Sequence, residues 1–174
     1  MDQLPEYLHN STILLDTNFF IHAYSNKEIY ANFIKKLKDT GIAFVSPNLV
    51  KYEFVRSKTI DVVRQKESYF HQIIDSILPY DVSIDELIIP TIEEYKNRME
   101  GLPLTDLVIA TYLKKYRGLY LLTNDHSDFP TSVFDRKHIF NLEEFGDKIY
   151  GLYIYKPKTT VFKEQISVYD DIPF

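Results

Sequence analysis

The sequence of 174 residues contains no cysteine and no tryptophan. The absence of cysteine excludes disulfide bonds, a thiol nucleophile and a thiolate metal site. A metal ion in this chain would therefore be held by oxygen ligands, with histidine as the only nitrogen alternative.

Long apolar runs are also missing from the sequence. No segment approaches the roughly 20 apolar residues that a membrane-spanning helix needs. The N-terminal stretch MDQLPEYLHN is polar and acidic and lacks the apolar core of a signal peptide. We therefore expect a soluble, cytoplasmic protein.

The chain has no excess of positive charge, since 20 Lys and Arg residues face 25 Asp and Glu residues, a formal net charge of -5. Binding to nucleic acid usually depends on a basic surface, so this balance argues against such a partner. The argument loses force if several acids surround a cation, because the ion reverses the local field.

The composition is that of a globular protein, with 45% hydrophobic and 26% charged residues. The length favours one domain with a sizeable core. The character of the sequence changes near residue 150, where short extended patterns such as Leu152–Tyr155 begin. We predict a main domain over residues 1–150 and a C-terminal extension or docked tail over residues 151–174.

Short apolar runs alternate with helical patterns along the main domain. Continuous apolar runs predict buried strands, and apolar residues three or four positions apart predict helices. The predicted strands are Ile13–Leu15, Ile42–Ser46, Leu119–Thr123 and His138–Leu142, with a short extended piece at Tyr80–Val82. The predicted helices run from Thr17 to a stop at Gly41, from Leu49 to Ile77, from about Pro90 to Met99, and from an N-cap at Thr105 to near Gly118. This order predicts a three-layer α/β/α sandwich on a short parallel sheet.

Four acidic residues follow the predicted strands or begin the predicted helices. Asp16 comes directly after the first strand, and Asp125 lies two residues beyond the third. Glu53 lies in the first turns of the helix after the second strand, and Asp106 in the first turn of the last helix. Ligands of open parallel sheets bind beyond the carboxyl ends of the strands, so we expect these side chains to meet there.

A group of carboxylates needs a cation, because without one they repel each other and raise each other's pKa. Mg²⁺ and Mn²⁺ prefer hard oxygen ligands. Mg²⁺ keeps several of its waters, so such a site can deliver a water nucleophile to a phosphodiester. The acids therefore predict a metal-dependent phosphodiesterase.

Four motifs in order resemble the PIN domain of the VapC-like nucleases: DTNFFIHAY near the start, KYEF after a Ser-Pro turn, PLTDLVIA opening a helix, and LLTNDHSDF after a strand. The resemblance covers roughly residues 11–145. It implies a metal-dependent endoribonuclease. It also implies that this enzyme is the toxin of a toxin–antitoxin pair. Its partners would be an RNA substrate, a small antitoxin protein and a second copy of the chain in a homodimer.

The resemblance also implies roles for individual residues. The catalytic acids would be Asp16, Glu53, Asp106 and Asp125. The Mg²⁺ or Mn²⁺ ligands would be Asp16, Asp106 and Asp125, with Asp128 as an additional or alternative acid. Thr123 matches the hydroxyl of the family's T-x-D turn, and Asn18 matches the residue that steadies the first aspartate.

Each acid also has a plain structural interpretation. Asp16 could simply cap a helix, Asp106 could favour a helix dipole, and Asp125 and Asp128 lie in a turn where Asp is common. Lys51, Arg56 and Lys58 flank Glu53 in the sequence and could steer an RNA backbone, or could form an ordinary solvated helix face.

Two other functions remain open from the sequence. One is a catalytically silent PIN module that binds RNA or a protein. The other is a phosphotransfer protein that uses Asp16 as nucleophile, although phosphatases of that kind usually carry a second aspartate two residues on, where this chain has Asn18.

Overall fold

The computed structural model describes residues 4–95, 102–125, 127–144 and 148–158. These residues form one six-stranded sheet in the order β3-β2-β1-β4-β6-β5. Its strands are β1 (Thr12–Leu15), β2 (Ala43–Pro47), β3 (Ser76–Leu78), β4 (Leu119–Thr123), β5 (Phe134–Glu144) and β6 (Lys148–Pro157). The first four strands are parallel, whereas β6 pairs antiparallel with β4 and with β5.

Six α-helices flank the sheet in the described part of the chain: α1 (Thr17–Ser25), α2 (Lys27–Lys38), α3 (Asn48–Val55), α4 (Ile60–Ile73), α5 (Val82–Tyr95) and α6 (Leu104–Lys115). The predicted fold class, helices around a mostly parallel central sheet, is therefore confirmed. No helix among the described residues is long and apolar enough to span a membrane.

The two long helices predicted in the first half are each divided. The first breaks at Asn26, whose φ of -129° and ψ of 51° are not helical, although apolar residues continue on both sides at helical spacing. The second ends at Val55, resumes at Ile60, and gives way to β3 at Ser76. The prediction missed these breaks because the buried face continues across them.

The segment around residue 80 also differs from the prediction. The extended piece is β3 rather than Tyr80–Val82, and α5 already begins at Val82. Asp81 Oδ1 accepts hydrogen bonds from the backbone N–H groups of Ser83 (3.0 Å) and Ile84 (3.3 Å), which supplies the N-terminal cap.

The later helices need two corrections. Pro90 lies inside α5 rather than at its start. The N-cap of α6 is Pro103, and Thr105 lies buried within the first turn, where it does not act as the cap. Residues 96–99 of the third predicted helix lie outside the described residues.

The predicted fourth strand is part of a longer hairpin, because β5 and β6 pair along most of their length. The predicted division at residue 150 falls inside β6, whose Leu152 to Tyr155 are extended as expected. Thr123 of β4 pairs with Tyr153 of β6, so this hairpin belongs to the same sheet. Residues 159–174 of the predicted extension lie outside the described residues.

Candidate active site

Asp16 lies at the carboxyl edge of the sheet, meaning the edge where β1, β2 and β4 end. Its side chain is 1% exposed. One carboxylate oxygen accepts a hydrogen bond from Phe19 N at 2.8 Å, so Asp16 does cap α1. The other oxygen accepts a short hydrogen bond from the hydroxyl of Thr123, in the neighbouring strand. A helix cap needs only the first of these bonds, so the cap alone does not explain the buried carboxyl.

A tight turn after β4 holds Asp125 beside this carboxyl. The Thr123 hydroxyl accepts a hydrogen bond from Asp125 N at 2.8 Å. One carboxylate oxygen of Asp125 accepts from Ser127 N (2.8 Å) and Ser127 Oγ (2.6 Å). The other accepts from Asn18 Nδ2 at 3.5 Å. Asn18, which the resemblance assigned to the first aspartate, therefore contacts Asp125 in this structure.

Glu53 reaches the same edge from α3. Its carboxylate accepts a hydrogen bond of 2.6 Å from the hydroxyl of Thr17, the residue after Asp16. The next residue, Phe54, packs its ring on Phe20 at a centroid distance of 5.4 Å. Lys66 Nζ donates to Phe54 O at 2.9 Å at the end of α3. The aromatic pair and the lysine thus fix the helix that carries Glu53.

Asp106 and Asp128 complete the acidic group from the other side. Asp106 lies in the first turn of α6. The hydroxyl of Tyr95 donates to Asp128 O at 3.0 Å, which ties the turn after β4 to the end of α5. The Asp106 carboxyl lies near that of Asp128, and each of the two groups affects the pKa of the other.

The pKa values of Asp16, Asp106 and Asp128 show the effects of burial and of the neighbouring acids. Burial raises the pKa of Asp16 to about 7, although the hydrogen bonds from Thr123 and Phe19 lower it in part. Burial also raises the pKa of Asp106 to about 8. Four neighbouring acids raise it further, namely Asp16, Asp128, Glu53 and Asp125. Burial and the charge of Asp125 raise the pKa of Asp128. The five acids that the sequence singled out therefore share one region.

The salt bridges of the described residues do not neutralise this group. They pair lysines with other acids, such as Lys38 with Asp75 and Lys114 with Glu94. A buried or half-buried set of like charges without a cationic partner is costly, and a bound cation offsets that cost.

The donor atoms fit Mg²⁺ or Mn²⁺ in chemistry, because they are carboxylate and hydroxyl oxygens. Within the described ranges, however, no three His, Asp or Glu side chains are grouped closely enough to hold a metal ion as they stand. The carboxyls are near enough to shift one another's pKa without converging on one point. Coordination by three of them would require the carboxylates to move closer together.

The predicted RNA-contact residues occupy different settings. Lys51 approaches Glu67 (3.9 Å) and lies over the ring of Tyr52 (5.2 Å), with only 14% of its side chain exposed. Arg56, at the end of α3, and Lys58, in the following loop, are exposed. Lys51 is thus engaged within the protein, whereas Arg56 and Lys58 are accessible.

Sequence reasoning did not assign two residues that hold the acids in place. Thr17 marks only the start of the first predicted helix, and its bond to Glu53 spans 36 positions, which no local pattern reveals. Ser127 has a readable signal, since an Asp followed two residues later by Ser commonly closes a turn through its carboxylate.

A family model described as the PIN domain matches residues 13–130. That range contains β1 to β4 and all five acids, and it ends before the β5–β6 hairpin. A comparison with curated proteins gave no match.

Proposed function

The chain belongs to the PIN domain family, a nuclease-type module, and from that premise we propose that it is a metal-dependent endoribonuclease. The reaction would be hydrolysis of RNA phosphodiester bonds, with Mg²⁺ or Mn²⁺ as cofactor.

One observation carries the proposal: hydrogen bonds hold Asp16, Asp125 and Glu53 at one edge of the sheet, near enough to Asp106 to raise its pKa. These acids come from separate elements, namely the end of β1, α3 and the turn after β4. A structural role for each acid alone does not require all of them to lie together. A hydrolytic cation site does require it, because several oxygen ligands must reach one ion.

The acids and the residues that hydrogen-bond to them would have different roles. Asp16, Asp106 and Asp125 would bind the cation, and Asp128 would add or exchange a ligand. A divalent ion held there would stabilise charge on the phosphate oxygens and lower the pKa of a water. Glu53, which Thr17 orients, would complete the site directly or through water. Thr123 would orient Asp16, and Asn18 would orient Asp125, by hydrogen bonds to their carboxylates.

The test incubates purified protein with mixed cellular RNA and Mn²⁺, with and without chelator. We expect cleavage that the chelator abolishes and that added Mn²⁺ restores. Asp16→Asn should lower the rate by roughly 100-fold or more, because it removes a ligand charge at the reacting centre. The matched control is Asp39→Asn, since Asp39 is an exposed acid whose contact is a surface pair with Lys35.

The outcomes separate the proposal from its rivals. Equal cleavage by wild type and Asp16→Asn would overturn it. RNA binding without cleavage in Mn²⁺ or Mg²⁺ would identify the silent module instead. A covalent phosphate on Asp16 would identify the phosphotransfer protein.

The toxin role is a narrower part of the proposal, and the RNA-cleaving site is what supports it. A toxin of this kind would cleave RNA that the cell needs for growth, and an antitoxin would have to block it. Induced expression of the wild-type chain should therefore halt growth of a bacterial host, and Asp16→Asn should not. Equal growth with both chains, despite RNA cleavage in vitro, would remove the toxin role alone.

A further inference from the structure

The β5–β6 hairpin carries an exposed arginine that contacts β6, the strand paired with β4. Arg136 lies in β5 with its guanidinium carbon 5.7 Å from the ring centroid of Tyr153. Its positive charge also acts on the hydroxyl of Tyr155, whose pKa it lowers. The hairpin lies beyond residue 130, so these contacts belong to a part of the chain outside the matched family region.

Three observations place Tyr153 and Tyr155, the two tyrosines around this arginine, near the carboxyl edge. Tyr153 pairs directly with Thr123, the residue that binds Asp16. Burial raises the pKa of Tyr155, Arg136 lowers it, and the nearby Asp125 raises it again. The ring of Tyr155 packs on Phe129, the residue after Asp128, at a centroid distance of 6.0 Å.

The surroundings hold the guanidinium in place without neutralising it. The guanidinium contacts the face of Tyr153, and neither Tyr153 nor Tyr155 carries a negative charge at neutral pH. Arg136 makes no salt bridge with an acid of the described chain. A guanidinium has five N–H donors in a rigid fork, which matches the geometry of a phosphate.

Gly151 gives the ring of Tyr153 its position. A Cβ atom at residue 151 would lie 3.0 Å from both the ring carbon Cζ and the hydroxyl oxygen of Tyr153. The phenol end of the ring thus occupies the space that a larger residue would take. Any side chain here would push the ring, and with it the support of Arg136.

We propose that Arg136 binds a phosphate of the single-stranded RNA next to the phosphodiester that is cleaved, with Tyr153 and Tyr155 as positioning residues. This inference rests on the proposed function and adds the substrate contact. The negatively charged acids repel an RNA backbone. The guanidinium of Arg136 would attract the phosphate next to the cleaved bond and so offset this repulsion.

The test measures binding of fluorescein-labelled single-stranded RNA by fluorescence anisotropy. All variants carry Asp16→Asn and are assayed with chelator, so that the RNA stays intact. Arg136→Gln is compared with Arg117→Gln, because Arg117 is also exposed but precedes β4 at the opposite edge of the sheet. An excess of inorganic phosphate in a parallel series distinguishes an RNA contact from a site for the free ion.

We expect Arg136→Gln to raise Kd about tenfold, as for the loss of a charged hydrogen bond. The slope of log Kd against log salt should fall by about 0.7, the value for one phosphate contact on a single strand. Arg136→Lys should keep the slope and lose part of the affinity, because the charge remains without the fork. Arg117→Gln should change neither quantity, and inorganic phosphate should compete weakly.

Gly151→Ala tests the positioning role without touching the arginine. It should raise the Kd for RNA, as Arg136→Gln does, and leave the unfolding temperature close to that of wild type. Unchanged affinity would overturn the role given to Tyr153.

Failure of this inference differs from failure of the proposed function. If wild type cleaves RNA but Arg136→Gln alters affinity and salt slope no more than Arg117→Gln does, the phosphate contact is refuted and the nuclease stands. Competition by inorganic phosphate as effective as that by unlabelled RNA would also refute it. If wild type neither binds nor cleaves RNA, both fall.

Discussion

Replacing Asp106 by asparagine should stabilise the metal-free protein while it removes activity. The pKa of Asp106 is raised to about 8 by burial and by the four neighbouring acids, so the folded chain holds a proton that the unfolded chain releases near pH 4. The folded state therefore binds more protons between these two values. Its stability is highest near pH 4 and falls as the pH rises through about 8.

The size of this effect follows from the difference between about 8 and the ordinary value of 3.8. A difference of about 4 pKa units corresponds to an upper bound of about 6 kcal/mol, at 1.36 kcal/mol per unit. Partial exposure and water around the carboxyl reduce that figure, and we expect about 2 kcal/mol. For a chain of this length, about 2 kcal/mol raises the unfolding temperature by about 4–8 °C.

The assay is thermal unfolding in chelator at about pH 9 and about pH 5, where the Asp106 carboxyl is charged and neutral respectively. Asp106→Asn should unfold at a higher temperature than wild type at the high pH and at a similar temperature at the low pH. Asp39→Asn is the control for removing one negative charge from the surface. If Asp106→Asn is no more stable than Asp39→Asn at the high pH, the mutual repulsion of the acids is refuted.

Three further predictions concern the groups around the acids. Thr123→Val keeps the shape but removes the hydroxyl that binds Asp16, so Mn²⁺ affinity measured by calorimetry should fall about 10- to 100-fold; affinity equal to wild type would contradict the orienting role. Thr17→Val frees Glu53, and the cleavage rate should fall about tenfold with a smaller change in KM; a change in KM alone would assign Glu53 to substrate binding. Mn²⁺ should raise the unfolding temperature of wild type at neutral pH and leave that of Asp16→Asn nearly unchanged; equal increases would place the ion elsewhere.

The sequence was sufficient to predict the strands that carry the acids. Ile13–Leu15 and Leu119–Thr123 are uninterrupted apolar runs, and such runs have few alternatives to a buried parallel strand. Because β1 and β4 are neighbours in parallel register, residues just beyond both strands necessarily lie at the same edge. This rule alone predicts from the sequence that Asp16 and Asp125 lie at the same edge of the sheet.

Contacts between distant residues could not be read in the same way. The hydrogen bond from Thr17 to Glu53 depends on how α3 packs against α1 through Phe20 and Phe54. The break at Asn26 is hidden because apolar residues on both sides still face one core.

The hairpin that carries Arg136 was also only partly visible. The sequence showed extended patterns near residues 138–142 and 152–155. It did not show that β6 would lie between β4 and β5 and pair with both. The alternation of apolar and polar residues in one strand does not show whether that strand joins a parallel sheet in the antiparallel direction. The contact of Arg136 with Tyr153 depends on this pairing and was therefore missed.

Anomalous X-ray scattering from a crystal soaked in Mn²⁺ tests the common cation site most directly. We predict a single strong peak, or two adjacent peaks, with oxygens of Asp16, Asp106 and Asp125 about 2.1 Å away. A well-ordered crystal with the same soak and no peak between these carboxylates would contradict the account.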